Sequence, residues 1–208
     1  MIMDSMNNKL CEIIDHYDVI SFDVFDTLIL RKCNALEDVF AYVARKIGEC
    51  ECDFVAKRVK AEHEVRKEKK REITIKDIYS QMESDPERVK QYIYAEEEAE
   101  LQLCTCNREM KCVYDSVKQQ GKHVYIISDM YMNFEFMDTL LKHNGYEGYD
   151  HLYVSSEIGV AKSNGKLYSY VLGQSEVAAA RVLHIGDNYK SDYLMPKLKG
   201  MKSYWYRA

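Results

Sequence analysis

Residues 19–28 read VISFDVFDTL. The apolar run from Val19 to Phe22 ends at an acid, Asp23, and has the length and composition of a buried strand. Further along the chain the same unit recurs. His123 to Ser128 (HVYIIS), Leu152 to Ser155, Val182 to Ile185 and Ser203 to Tyr206 each read as strands. Single helical stretches separate them. Asn107 caps one that carries Met110, Val113, Tyr114 and Val117 and ends at Gly121; Asn133 to His143, Gly165 to Leu172 and Ser191 to Lys199 supply the others. Strands alternating with helices predict an α/β fold, a parallel sheet with helices on both faces.

Between the first and second strands the pattern is helical only. Asn34 is placed to cap a helix with Glu37 as its capping-box partner, Leu36, Val39, Phe40, Val43 and Ile47 recur at helical spacing, and Gly48 closes it. Phe54 to Arg71 predicts a second, highly charged helix, in which Glu64 to Glu72 (EVRKEKKRE) forms a solvated face. Thr74 and Asp77 open a third helix, and Asp85-Pro86 opens a fourth that runs to about Glu100. The expected organisation is a Rossmann-like core from residues 1–31 and 107–208, with 32–106 inserted as a small all-helical cap.

Composition narrows the function classes. The 208 residues suit one domain with a modest insert, and 29 basic against 34 acidic side chains leave a net charge of −5. That balance argues against nucleic-acid binding. No apolar run approaches the roughly 18 residues of a membrane span, and Met1 to Leu10 lacks a signal-peptide stretch. Seven cysteines without a secretion signal predict free thiols and a cytoplasmic protein; the two Cys-x-Cys pairs have the wrong spacing for zinc knuckles. Oligomeric state is left open.

Ligands of open parallel sheets bind beyond the carboxyl ends of the strands. Asp23, Ser128-Asp129 and Gly186-Asp187 all stand at such ends, and Lys162 lies in the loop after the third core strand. Converging carboxylates either share a proton or hold a cation, and hard oxygen donors favour Mg²⁺. Asp129 reads as a turn residue and Arg31 as a surface residue, and the histidines receive no role.

These residues carry a resemblance. Phe22-Asp23-Val24-Phe25-Asp26-Thr27-Leu28 resembles the first motif of the haloacid dehalogenase superfamily of hydrolases, and Ser128 before Asp129 resembles the second. Lys162, within Ala-Lys-Ser-Asn-Gly-Lys-Leu-Tyr, sits where that family places its lysine, and Gly186-Asp187 followed by Asp192 resembles the fourth motif. The resemblance implies Asp23 as the nucleophile that forms an aspartyl-phosphate, Ser128 as a donor to a phosphoryl oxygen, and Lys162 as the charge-balancing cation. It implies Mg²⁺ held by Asp23, Asp187 and the backbone carbonyl of Phe25, with Asp192 orienting metal waters or Lys162. The helical insert is similar to the caps of members that carry one after the first motif. The implied substrate is a small phosphorylated metabolite. A similarity of SFDVFDTL to a bacterial subgroup associated with glycosyltransferases implies a sugar phosphate or nucleotide sugar.

One position departs from the phosphatase pattern. The general acid expected two residues after the nucleophile is Phe25, and Asp26 stands where the pattern has Gly. Losing general acid catalysis costs about 10²–10⁴-fold, and least for leaving groups that need no proton. Asp26 reads as a turn residue or as a re-registered acid, and Thr27 as a capping hydroxyl or a ligand contact. Dehalogenase members of the superfamily also lack the acid, and need no Mg²⁺. A metal-independent dehalogenase and a weakly active phospho-ligand-binding module are therefore the alternative expectations.

Overall fold

The computed structural model describes residues 10–33 and 35–207. The expectations for the N-terminal segment up to residue 9 and for the Asn34 cap lie outside the described residues. In chain order the elements are β1 (Val19–Phe22), β2 (Ile29–Arg31), α1 (Glu37–Ile47), α2 (Glu51–Glu68), α3 (Ile75–Met82), α4 (Pro86–Leu103), β3 (Cys104–Cys106), α5 (Arg108–Gln119), β4 (His123–Ser128), α6 (Phe134–His143), β5 (His151–Val154), α7 (Ser155–Ile158), α8 (Lys166–Gln174), β6 (Val182–Gly186), α9 (Met195–Leu198) and β7 (Lys202–Trp205). A π-helical turn, Tyr189–Leu194, precedes α9. That turn and α9 occupy the stretch expected to be one regular helix.

The main sheet has the order β5-β4-β1-β6-β7 with every pairing parallel. Alternation along the strands gives each face its own core. Ile20, Phe22, Val124, Ile126, Leu183 and Ile185 pack in the cluster that holds Met110, Val113 and Tyr114 of α5 and Met137 and Leu140 of α6. Val19, Tyr125, Ile127 and Val182 pack with Leu167, Tyr168 and Val171 of α8. Both faces are covered, as the buried, near-continuous apolar strands require. β1 is central, with β4 on one side and β6 on the other, so the chain reverses its order of travel at β1. Register aligns Phe22 with Ile126 and with Ile185, which brings Asp23, Ser128 and Asp187 to one edge.

Helices α1 to α4 follow the expected sequence signals. Thr74 and Asp77 form a reciprocal capping box at α3, Asp85 caps α4 with Pro86 in its first turn, and Gly48 ends α1 in the left-handed conformation. The 32–106 stretch is not helical throughout. β3 pairs antiparallel with β2, so the two chain segments running into and out of the helices are hydrogen-bonded to each other. Three-residue strands show too little periodicity to be read from sequence. No helix among the described residues is long and apolar enough to cross a membrane.

The four helices hold a buried ionic network. Arg58 of α2 and Glu96 of α4 are fully buried and paired, Nε to Oε2 at 3.0 Å and Nη2 to Oε1 at 3.0 Å. Glu96 also accepts from the Tyr79 hydroxyl and, at 2.7 Å, from that of Tyr131. The guanidinium lies over the rings of Phe40, Tyr79 and Tyr131, 4.4 Å from the first centroid. Tyr131 follows β4, so this network ties the helices to the loop that carries Ser128 and Asp129.

Candidate active site

Asp23 is the first residue past β1, and its N–H extends the ladder to the Ile185 carbonyl at 2.9 Å. Its side chain is buried. Lys162, also buried, donates through Nζ to the Asp23 carboxylate and, at 2.7 Å, to Asp192. Carboxylate oxygens of Asp23, Asp187 and Asp192 lie within 4.8 Å of one another. Asp23 comes from the end of β1, and Asp187 and Asp192 come from one segment after β6; the parallel register of β1 with β6 brings the two segments together.

Each member is held from behind. Asp129 accepts from the Lys162 N–H at 2.7 Å and from the Ser163 N–H at 3.4 Å, which fastens the loop that delivers the lysine. Asp192 accepts from the Asn188 N–H at 3.0 Å and from the Tyr168 hydroxyl at 3.3 Å, and His184 Nε2 lies 3.2 Å from its Oδ1. His184 Nδ1 in turn lies 2.9 Å from Ser21 Oγ. The Trp205 indole N–H donates to the Asp187 carbonyl at 2.6 Å. A side chain at position 186 has no room, because a Cβ there would stand 2.6 Å from Cβ and Cγ of Asp192.

The electrostatics follow from burial and crowding. Burial, with the charges of Asp192 and Asp187, pushes the Asp23 carboxyl up to about 7 against the pull of Lys162. Burial and the charges of Asp192 and Asp26 also raise Asp187. Burial would raise Asp192 too, but the Lys162 charge and the His184 hydrogen bond outweigh it and hold Asp192 low. Lys162 is raised, because the two acids overcome the cost of burying it. Burial lowers His184, which favours the neutral ring.

The remaining sequence-predicted residues divide. Ser128 is buried at the end of β4, level with the site. Asp26 is exposed, with φ of +56°. It takes the left-handed conformation that a glycine adopts more easily, and its charge reaches Asp187. Thr27 is not seen as a cap: its hydroxyl is buried without a hydrogen-bond partner among the described residues. Arg31 is not a surface residue. Its guanidinium lies 3.9 Å over the Phe25 ring and donates to Glu100 through Nε at 3.0 Å and Nη2 at 2.9 Å. The position of the missing acid is thus an aromatic ring covered by a paired cation. His184, Tyr168 and Ser21 were invisible in the sequence because they sit within apolar strand or helix patterns. A second group, Cys50, Cys52 and Asp53, also gathers possible ligand atoms, but all three residues are exposed.

Comparison with known proteins agrees with this fold. Solved structures of the same fold include a magnesium-bound HAD-hydrolase, YfnB, from Bacillus subtilis (TM-score 0.65, 18% identity, 91% of this chain and 88% of that one). A 2-haloacid dehalogenase from Pseudomonas syringae pv. Tomato (TM-score 0.64, 15% identity, 91% and 86%) and a HAD phosphatase from Thermococcus onnurineus (TM-score 0.63, 13% identity, 91% and 86%) are similar to the same extent. At these identities the likeness is one of fold. No curated protein matches the chain by sequence. The family model for haloacid dehalogenase-like hydrolases matches residues 17–198, and the chain belongs to that family of enzymes.

Proposed function

We propose that the protein is a Mg²⁺-dependent phosphatase that acts on a small phosphorylated metabolite through an aspartyl-phosphate on Asp23. The observation that carries this reading is the meeting of three carboxylates with one lysine. Three negative charges against one positive leave an excess of 3 − 1 = 2 in a buried site, which a divalent cation would offset. Oxygen donors alone suit Mg²⁺. Asp23, Asp187 and the Phe25 carbonyl would hold it, with Asp192 engaged by Lys162 and His184. When bound, it would neutralise charge on the nucleophile and on the phosphoryl group.

The side chains then divide the work. The free oxygen of Asp23 attacks phosphorus as the bond to the leaving oxygen breaks, and water later cleaves the acyl phosphate. Ser128 donates to a phosphoryl oxygen, and Lys162 balances the charge that builds up there. Phe25 has no proton to give. The favoured leaving groups are therefore those that need none, such as acyl phosphates, phosphoanhydrides and aryl phosphates. Helices α1 to α4 act as a cap that selects substrate. The substrate pool is cytoplasmic, where the reduced cysteines of the sequence also point.

A panel of phosphoesters assayed with Mg²⁺ and with a chelator tests this. Aryl and acyl phosphates are expected to turn over with Mg²⁺, with loss of at least about 10²-fold in chelator or in Asp23→Asn. Chelator-insensitive turnover would remove the metal from the reading. The covered Phe25 ring supports a second reading, a metal-independent dehalogenase using the same nucleophile. Halide release from 2-haloacids in chelator would decide for it.

A further inference from the structure

A charged cavity lies beside the loop that delivers Lys162. It has a volume of about 340 Å³ and is lined by Arg66, Lys69, Lys70 and Arg71 from the end of α2 and the segment after it, and by Lys166 at the start of α8, with Glu72 as its acid. Five cations against Glu72 and the two acids that pair with them, Asp77 and Glu62, give 5 − 3 = +2, on a chain whose net charge is −5. The helices and the core meet here: the Glu72 N–H donates to the Gly159 carbonyl at 3.3 Å, and the Ile75 N–H to that of Tyr131 at 2.7 Å. Ala161 lines the cavity and precedes Lys162, whose Nζ bonds Asp23, so one loop serves both places.

The cations are arranged rather than scattered. Lys69 and Arg71 both bind Asp77, the capping-box acid of α3, which holds two positive charges side by side. Arg66 bonds Glu62 at 2.8 Å and reaches Glu72 at 3.8 Å. Lys166 opens α8, whose first turn carries no acid. A lysine at the positive end of a helix is unfavourable unless an anion joins it. Glu72 is half-buried, and burial, with the charge of Asp129, raises its pKa against the pull of Arg66.

We propose that this cavity receives a second phosphoryl group of the substrate, making the preferred substrate a small bisphosphorylated metabolite. The proposal deepens the phosphatase reading and rests on it for the substrate, while the anion site itself does not. The first test therefore needs no catalysis. Inorganic phosphate is titrated in chelator into the isotope-labelled whole chain, and amide shifts are followed. Saturable shifts at residues 69–72 and 159–166 are expected, with their loss in Lys70→Glu/Lys166→Glu. Shifts absent there, or unchanged in the variant, overturn the proposal. The second test measures KM for a small acyl phosphate and for the same acyl phosphate carrying a second phosphoryl group, with Mg²⁺. The wild type is expected to favour the bisphosphate about tenfold, a preference that the double variant erases. Equal KM values in the wild type also overturn it. If phosphate binds in the cavity but no phosphoester is hydrolysed, the phosphatase reading fails and the anion site stands.

Discussion

At the scale of single residues the site is a set of buried acids whose ionisation is contested. Without a cation, Asp23 sits near 7, well above its ordinary value of 3.8, because it is buried among other carboxylates. An acid whose folded pKa is raised stabilises the fold below its unfolded pKa, and that contribution is lost as pH rises through the folded value. Metal-free protein is therefore expected to lose thermal stability between about pH 4 and 7 through this group, and Asp187, also raised, acts in the same direction. Asp192, held low, contributes the other way and loses its effect only in acid. A Mg²⁺ ion held here would require these acids ionised, so it should raise Tm more at pH 8 than at pH 5. Calorimetry at the two pH values, with and without Mg²⁺, checks this; an equal Mg²⁺ effect at both would count against a cation between these acids.

Two further residues make separable predictions. Gly186→Ala places a Cβ where Asp192 already stands, and Asp192 holds Lys162. Turnover should fall at least about tenfold while the protein still folds, the shift being confined to the π-helical turn; circular dichroism and turnover measured together decide. Asp26→Asn keeps a residue that tolerates the left-handed conformation. If Asp26 is not the general acid, aryl and alkyl phosphate rates should change by the same small factor. A selective loss on alkyl phosphates of about 10²-fold would make it the acid.

At the scale of elements the helices from α1 to α4 share a buried charge pair. Arg58 and Glu96 lie within highly charged helices, yet both are fully buried. Their long sequence separation hides the pairing: α2 and α4 each pack on α1 and α3, and the two side chains reach one another across the group. Arg58→Met should destabilise the protein by about 3–5 kcal/mol, since it leaves Glu96 buried and unpaired. Tyr131→Phe removes one hydrogen bond to a charged group and should cost about 1.5–3 kcal/mol. Urea unfolding of both variants measures the two costs, and equal, small values would mean that Glu96 is solvated. The short β2–β3 pair was missed for a different reason: three residues carry no period, and their pairing depends on two segments brought together by everything between them.

At the scale of the whole molecule the sequence was most legible where strand ends carry acids. Asp23, Ser128 and Asp187 follow from the rule that parallel sheets bind ligands at their carboxyl edge, and the register of β1 with β4 and β6 places them there. The residues that hold these side chains were not legible. His184 and Ser21 lie within apolar strands, and only the fold shows that Ser21 meets His184 and that His184 reaches Asp192. Arg31 read as a surface charge because its partner Glu100 lies at the far end of the helical insert. The cationic stretch at the end of α2 read as a solvated face, and its meaning changed once the fold set Lys166 opposite it.

On the proposed mechanism, acids from the ends of β1 and β6 share one divalent ion, leaving Asp23 to attack a bound phosphoryl group. A crystal grown with Mg²⁺ and a phosphate mimic tests it most directly. The expected result is one ion held between the carboxylates of Asp23 and Asp187, with the mimic in line with the free oxygen of Asp23 and touching Ser128 and Lys162. Mimic bound at Asp23 with no ion between the two acids, or an ion bound elsewhere, would contradict it.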